Sequence, residues 1–212
     1  MSAEQLKVPE LASVEVDAEG GDLSRSEVIL KGALAVGAIY GTAMVSPFVR
    51  SALAKSETGD VGILNFALTL EYLEAKFYEE AKRRAKLRGD LKSLVDLIAS
   101  DEQQHVEALA ATVKQLGGKP VAEPMFQFDY MGTGGFLKLA QTFEDTGVSA
   151  YNGSAPMIKS KEVLAAAGGI VQVEARHAAA IRLQNGADPA PVAFDPPLDE
   201  KQVLKAVEPF IV

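Results

Sequence analysis

The chain has 212 residues, 48% of them hydrophobic, which is long enough for one domain with a substantial core and too apolar for wholesale disorder. Its 29 acidic against 21 basic residues give a net charge of −8, and the basic residues form no stripe, so nucleic acid is disfavoured as a partner and cations are better matched. With no Cys, disulfides, thiolate metal sites and Cys nucleophiles are excluded together, and a transition-metal site must be built from His, Asp, Glu or Tyr.

Residues 1 to 27 are polar and acidic with little periodicity, and they read as a disordered leader. "GALAVGAIYGTAMVSPFV" (32–49) then runs eighteen residues without a charge, a borderline length for a membrane span and a segment able to contact a membrane. It is preceded by "SRSEVILKG", which looks like a degenerate twin-arginine export signal, and followed by the cleavage pattern "ALA" at 52–54. Export is therefore expected ahead of a cytoplasmic location, with an uncleaved anchor or a helix packed on the domain as alternatives.

From Asp60 the pattern becomes long helical periodicity. Asp60 is the expected N-cap of a first helix in which Ile63, Ala67, Leu70, Leu73, Phe77 and Ala81 recur at threes and fours until Gly89. Asp90 is the expected cap of a second helix, ending at Gly117-Gly118, with Leu94, Leu97, Ile98, Val106, Leu109 and Val113 as its apolar stripe. "GKPVAEPMFQFDYMGTGG" is too long for a helix hairpin turn and reads as a crossover. A third helix should start near Phe136 and break around "NGSAPM"; a fourth should run from about Glu162 to Gln184 and stop at Gly186. The remainder reads as an extended segment with a short helix near Asp199 to Val207. The expected organisation is thus 1–57 leader and apolar segment, 58–186 an all-α four-helix bundle with a long crossover between helices 2 and 3, and 187–212 a tail.

The bundle carries an internal repeat. Glu71 and Tyr78 recur 73 residues on as Glu144 and Tyr151, and Glu102-x-x-His105 recurs 72 residues on as Glu174-x-x-His177. The chain's only two histidines therefore occupy equivalent places. Residues three apart point to the same side of a helix, so each Glu-x-x-His can present a carboxylate and an imidazole to one point. Counted from turns at Gly89 and near Ser160, Glu71, Glu102, His105, Glu144, Glu174 and His177 reach matching depths to within about one helical turn.

Such a meeting makes chemical sense around cations. Four buried carboxylates without counterions would be very costly, whereas two divalent ions balance their charge and two neutral imidazoles complete the coordination. A dinuclear metal centre is the expected result.

On these residues the chain resembles a known family. "ILNFALTLEYLEAKFY", "DEQQHVEAL", "FEDTGVSAY" and "VEARHAAAI" are similar to the ferritin-like family that includes bacterial exported proteins and plant desiccation-related proteins, over about residues 58 to 186. The resemblance implies two Fe or two Mn ions, with Glu102 and Glu174 bridging them, Glu71 and Glu144 as terminal ligands, His105 and His177 each binding one ion, and Tyr78 and Tyr151 hydrogen-bonding the carboxylates. It implies reaction with O2 or H2O2 in a ferroxidase or peroxide-detoxifying manner; manganese catalase, iron storage and a stress-protective bundle with a non-catalytic site are alternatives. A homo-oligomer is the expected assembly. A rubrerythrin-like built-in electron carrier is excluded, because it needs four cysteine thiolates.

Neighbouring residues have plainer readings. Tyr78 and Tyr151 are as readily core residues with satisfied hydroxyls as catalytic parts. Glu74 could stand in for Glu71, but only Glu71 repeats as Glu144. Gly147, Gly168 and Gly169 suggest close helix approach, and Asp101 and Glu107 read as a solvated face.

Overall fold

The computed structural model describes residues 59–212. The expected leader, apolar segment 32–49 and export signature lie outside these residues. Four long helices follow one another: α1 (Asp60–Arg84), α2 (Gly89–Gln115), α3 (Gly132–Ser154) and α4 (Lys161–Gln184), then a short α5 (Glu200–Val207). Helix α1 pairs with α2 and α3 with α4, with further contact between α1 and α3 and between α2 and α4, which closes a four-helix bundle. The described residues hold no strand, and none of their helices is long and apolar enough to cross a membrane.

The ends of the helices follow local chemistry, with three departures from expectation. Gly59, not Asp60, occupies the N-cap of α1. The Asp60 carboxylate instead accepts the backbone N–H groups of Lys159 and Ser160, each at 2.8 Å, so the start of α1 is tied to the α3–α4 turn. Those two bonds hold its carboxyl below the usual range. Likewise α2 starts at Gly89 with Arg88 as its cap, leaving Asp90 in the first turn, where its charge opposes the helix dipole. Helix α3 begins four residues before the expected Phe136, and it runs through Asn152-Gly153-Ser154 before narrowing to a 3-10 turn at Ala155–Met157. A proline in the first turn of that 3-10 segment costs no hydrogen bond there, so "NGSAPM" bends the chain later than the sequence pattern implies.

Two apolar clusters fill the bundle, one toward each end. One is built on Leu73, Phe77, Tyr78, Ile98, Phe136 and Phe143; the other on Leu64, Leu68, Val106, Val113, Tyr151 and Val163. The crossover contributes to the first, because Phe128 and Tyr130 are buried against Phe77 with ring centroids 5.2 and 5.7 Å away. Chain segment 198–211 packs there too. Val203, Leu204, Val207, Phe210 and Ile211 join the same cluster, and Phe210 meets Phe143 edge to face at 4.9 Å. Backbone bonds from Gln127 to Phe210 and from Val212 to Met125 fasten this segment to the crossover.

Close approach of backbones occurs at Gly153, a position the sequence reading passed over. A Cβ there would lie 1.9 Å from the carbonyl oxygen of Leu198, whose N–H donates to Ser149 O at 3.0 Å. Gly168 and Gly169, by contrast, face open space. Because the obstacle at Gly153 is backbone, Gly153→Ala forces residue 198 outward and should cost about 1–3 kcal/mol, the scale of overpacking. A chemical-denaturation midpoint equal to that of the wild type would contradict this.

Candidate metal centre

Midway along each long helix, between the two apolar clusters, the stripe of core positions turns polar. Helix α1 brings Glu71 and Glu74, α2 brings Glu102 and His105, α3 brings Glu144, and α4 brings Glu174 and His177; all seven are buried, and Glu71, Glu102, Glu144 and Glu174 are 0% exposed. The i, i+3 spacing places each pair on one side of its helix. The six residues marked by the repeat thus meet at one level of the bundle.

Their atoms divide into two sets. Glu71, Glu102, His105 and Glu174 offer ligand atoms all within 4.8 Å of one another, and so do Glu102, Glu144, Glu174 and His177. In the first set, His105 Nδ1 lies 3.0 Å from Glu174 Oε1, 3.1 Å from Glu102 Oε2 and 3.3 Å from Glu71 Oε2. In the second, His177 Nδ1 lies 2.8 Å from Glu102 Oε1 and 3.7 Å from Glu144 Oε2. Glu102 thus turns one oxygen to each imidazole, and Glu102 and Glu174 belong to both sets.

The outward-facing atoms are tied down. Tyr151 donates its hydroxyl to Glu71 Oε1 at 2.5 Å, and Tyr78 donates to Glu144 Oε1. These bonds cross between α1 and α3 in opposite senses, as the repeat requires. Burial, and then the adjoining carboxylates, push both phenols well above their ordinary range, so they stay protonated donors at neutral pH. The inward-facing atoms are not tied. Glu71 Oε2, Glu102 Oε1, Glu144 Oε2, both oxygens of Glu174 and His177 Nδ1 are buried with no partner in hydrogen-bonding geometry among the described residues. Buried polar atoms are ordinarily paired, so six unpaired ones converging on two points is the arrangement of a ligand shell. Oxygen and imidazole donors without sulfur suit iron, manganese or zinc.

Burial drives the carboxyls toward their neutral forms. Glu102 and Glu174 are each raised to about 8, chiefly by desolvation, and Glu144 and Glu74 are pushed well above their normal range by desolvation and the surrounding carboxylates. Burial alone would depress His105, but the carboxylates of Glu102, Glu174 and Glu71 close around its Nδ1 outweigh this and raise it to about 12. A protonated His105 in the metal-free protein therefore occupies the electrostatic place of a cation.

Three residues behave differently from their sequence readings. Asp101 is not simply solvated: it stands on the flank of α2 that faces α4, and its Oδ2 is 3.2 Å from His177 Nε2. With Nε2–H donating to Asp101, the Nδ1 lone pair is directed into the centre, the arrangement that orients an imidazole ligand. Glu107, on the other side of α2, is exposed and accepts from Gln103. Glu74 is present beside Glu71, not instead of it. Gly147 accommodates side chains more than backbones, since a Cβ there would lie 3.1 Å from Glu74 Oε1 and 3.5 Å from Glu174 Oε2. The signal for this pairing was in the repeat, because 73 residues after Glu74 comes Gly147.

Comparison with known proteins agrees with the architecture. The family profile described as "Ferritin-like domain" matches residues 59–187. The curated protein rds1 of Schizosaccharomyces pombe is 26% identical over 161 residues, an alignment that takes in 72% of this chain and 39% of the relative, so the chain spans well under half of that protein's length. A solved structure described as a ferritin-like, diiron-carboxylate protein from Bacillus anthracis superposes with a TM-score of 0.53 at 23% identity, covering 58% of this chain and 93% of the other. At that identity the likeness establishes the fold.

The titration of the centre predicts how stability depends on pH. In the folded metal-free protein Glu102 and Glu174 hold their protons to about pH 8, whereas their ordinary value is 4.5, so folding takes up protons between those limits and a rise in pH destabilises. His105 acts in the same direction: its contribution is complete below 6.5 and is lost as pH rises toward about 12. Metal-free protein should melt at steadily lower temperature from about pH 5 to about pH 9, while Mn(II), which replaces those protons, should widen the gap between loaded and metal-free protein over that interval. Calorimetric melting that shows metal-free protein gaining stability with pH would refute the assignment.

Proposed function

Because the chain belongs to the ferritin-like domain family, we propose that it holds two iron or two manganese ions and reacts with O2 or H2O2, as a ferroxidase or a peroxide-detoxifying protein. The observation that carries this reading is the identity of the unpaired atoms: the inward oxygens of Glu71, Glu102, Glu144 and Glu174 are left without partners, and these residues with His105 and His177 form two overlapping four-ligand sets. The printed description of the Bacillus anthracis structure as a diiron-carboxylate protein supports the same chemistry. Bound ions would supply Lewis acidity and exchange electrons with the oxidant by cycling between oxidation states.

The protein's own contribution is positional. Glu102 and Glu174, common to both sets, would be shared by the two ions, while Glu71 with His105 and Glu144 with His177 would each hold one. Tyr151 and Tyr78 fix the outer oxygens of the two terminal carboxylates, which keeps the inner oxygens aimed at the centre. Asp101 holds the His177 ring in the tautomer that leaves Nδ1 free. The flanking clusters of Phe, Leu, Ile and Val exclude bulk water, which strengthens every charge interaction inside. With manganese the same frame suits peroxide disproportionation; an inert stabilising site is the rival from another class.

Anaerobic loading with Fe(II) or Mn(II) followed by O2 or H2O2 tests the reading. Loaded wild type should develop an oxidised-metal absorption band. His105→Ala and His177→Ala should reduce turnover by about 10-fold or more with the helical circular dichroism preserved, Glu102→Ala should be worse because it removes a bridge, and Glu107→Ala should match wild type. Asp101→Asn should fall between, through its hold on His177. No oxidation with either oxidant, or ligand variants indistinguishable from Glu107→Ala, would leave the structural role in place of the enzyme.

A further inference from the structure

We propose that Glu74 is a fifth carboxylate ligand of the centre, serving the ion on the Glu144 and His177 side, and that Gly147 exists to admit it. This rests on the dinuclear reading above. Glu74 and Gly147 are equivalent positions of the two halves, each one turn beyond a terminal carboxylate, Glu71 in one half and Glu144 in the other. The two positions meet between α1 and α3, where the carboxylate of Glu74 fills the space that a side chain at position 147 would take. The half that keeps glycine makes space for the half that keeps glutamate.

The geometry says which ion Glu74 serves. Glu174 has two buried oxygens without hydrogen-bond partners. Its Oε1 lies 3.0 Å from His105 Nδ1, on the first side of the centre. Its Oε2 turns the other way, to the surface of Gly147, where it lies 3.5 Å from the position of a Cβ and Glu74 Oε1 lies 3.1 Å from the same point. Glu74 therefore shares a floor with the bridging oxygen directed away from His105. It is 2% exposed, and the strongest charges acting on it are Glu174, Glu102, Glu144 and Glu71, all of its own sign. A carboxylate in that setting is resolved by a cation. Glu74 stands outside the atoms lying within 4.8 Å of one another, so it reaches the ion by a side-chain rotation over the bare face of Gly147. The two ions then differ: the second has one more hard anionic oxygen and binds more tightly.

Anaerobic calorimetric titration of the full chain with Mn(II) as the probe reads this directly. Wild type should bind two ions with separable affinities. Glu74→Gln, which keeps the shape but cannot become an anionic ligand, should weaken one affinity by about tenfold or more and leave the other within about threefold. In the His177→Ala background Glu74→Gln should have little further effect, and in the His105→Ala background its full effect, as coupling through one shared ion requires. Gly147→Ala should reproduce the Glu74→Gln pattern by displacing the Glu74 carboxylate, in a helix that alanine favours. Two unchanged affinities in Glu74→Gln, or equal weakening of both ions, overturn this assignment alone; a wild type that binds no Mn(II) overturns the dinuclear reading and this one with it.

Discussion

The mutual repulsion of five buried carboxylates at one level of a helical bundle is the constraint to which the rest of the molecule answers. Burying one charge without a partner is already costly, and here Glu71, Glu74, Glu102, Glu144 and Glu174 are at most 2% exposed. A fold tolerates this only if the charges are neutralised and the surroundings cannot relax away from them. Protons do the first in the metal-free protein, with His105 as the internal cation; divalent ions would do it better. The apolar clusters on either side do the second. Each ends in a tyrosine whose hydroxyl closes on the far half's terminal glutamate, so the polar belt is capped above and below by groups that are apolar on one side and hydrogen-bonding on the other.

The duplication explains the frame, and the departures from it explain the site's individuality. Six candidate metal-binding residues and two tyrosines obey the repeat. Asp101 does not, since its equivalent 72 residues on is Val173, and among the described residues only His177 has a carboxylate on its outer nitrogen. Glu74 does not either, because its equivalent is Gly147. Asp101 gives His177 a ring-orienting partner, and Glu74 lies on the bare face of Gly147, one turn beyond Glu144. The centre is built from a symmetric plan and made polar in one direction.

The sequence made the long elements legible because the signals are local and repeated. Threes and fours of apolar residues mark α1 to α4, and the matched Glu-x-x-His pairs single out the residues that the fold then brings together. What was hidden depended on helix pairing. Asp101 is one residue from Glu102 and about 100° around the helix; whether that direction meets water or His177 depends on where α4 lies. Asp60 carries the usual signature of an N-cap, and nothing local says that two amides a hundred residues away will claim its carboxylate instead. Among glycines, position within the helices pointed to Gly147, Gly168 and Gly169, while the close backbone approach falls at Gly153, where a distant carbonyl passes. Such features belong to long-range packing, which periodicity does not encode.

The fastening of segment 198–211 has a consequence in the order of synthesis. All six repeat-marked metal-site candidates lie at or before His177, but the packing on the Tyr78 side is not complete with them: Phe143 packs against Phe210, and the crossover segment Met125–Gln127 shares backbone bonds with residues 210 and 212. At about 5–20 residues per second, the residues that make these contacts are added seconds after His177. Val203, Leu204 and Val207 close over the cluster that holds Tyr78, so this end of the bundle is completed by residues added after every member of the repeat.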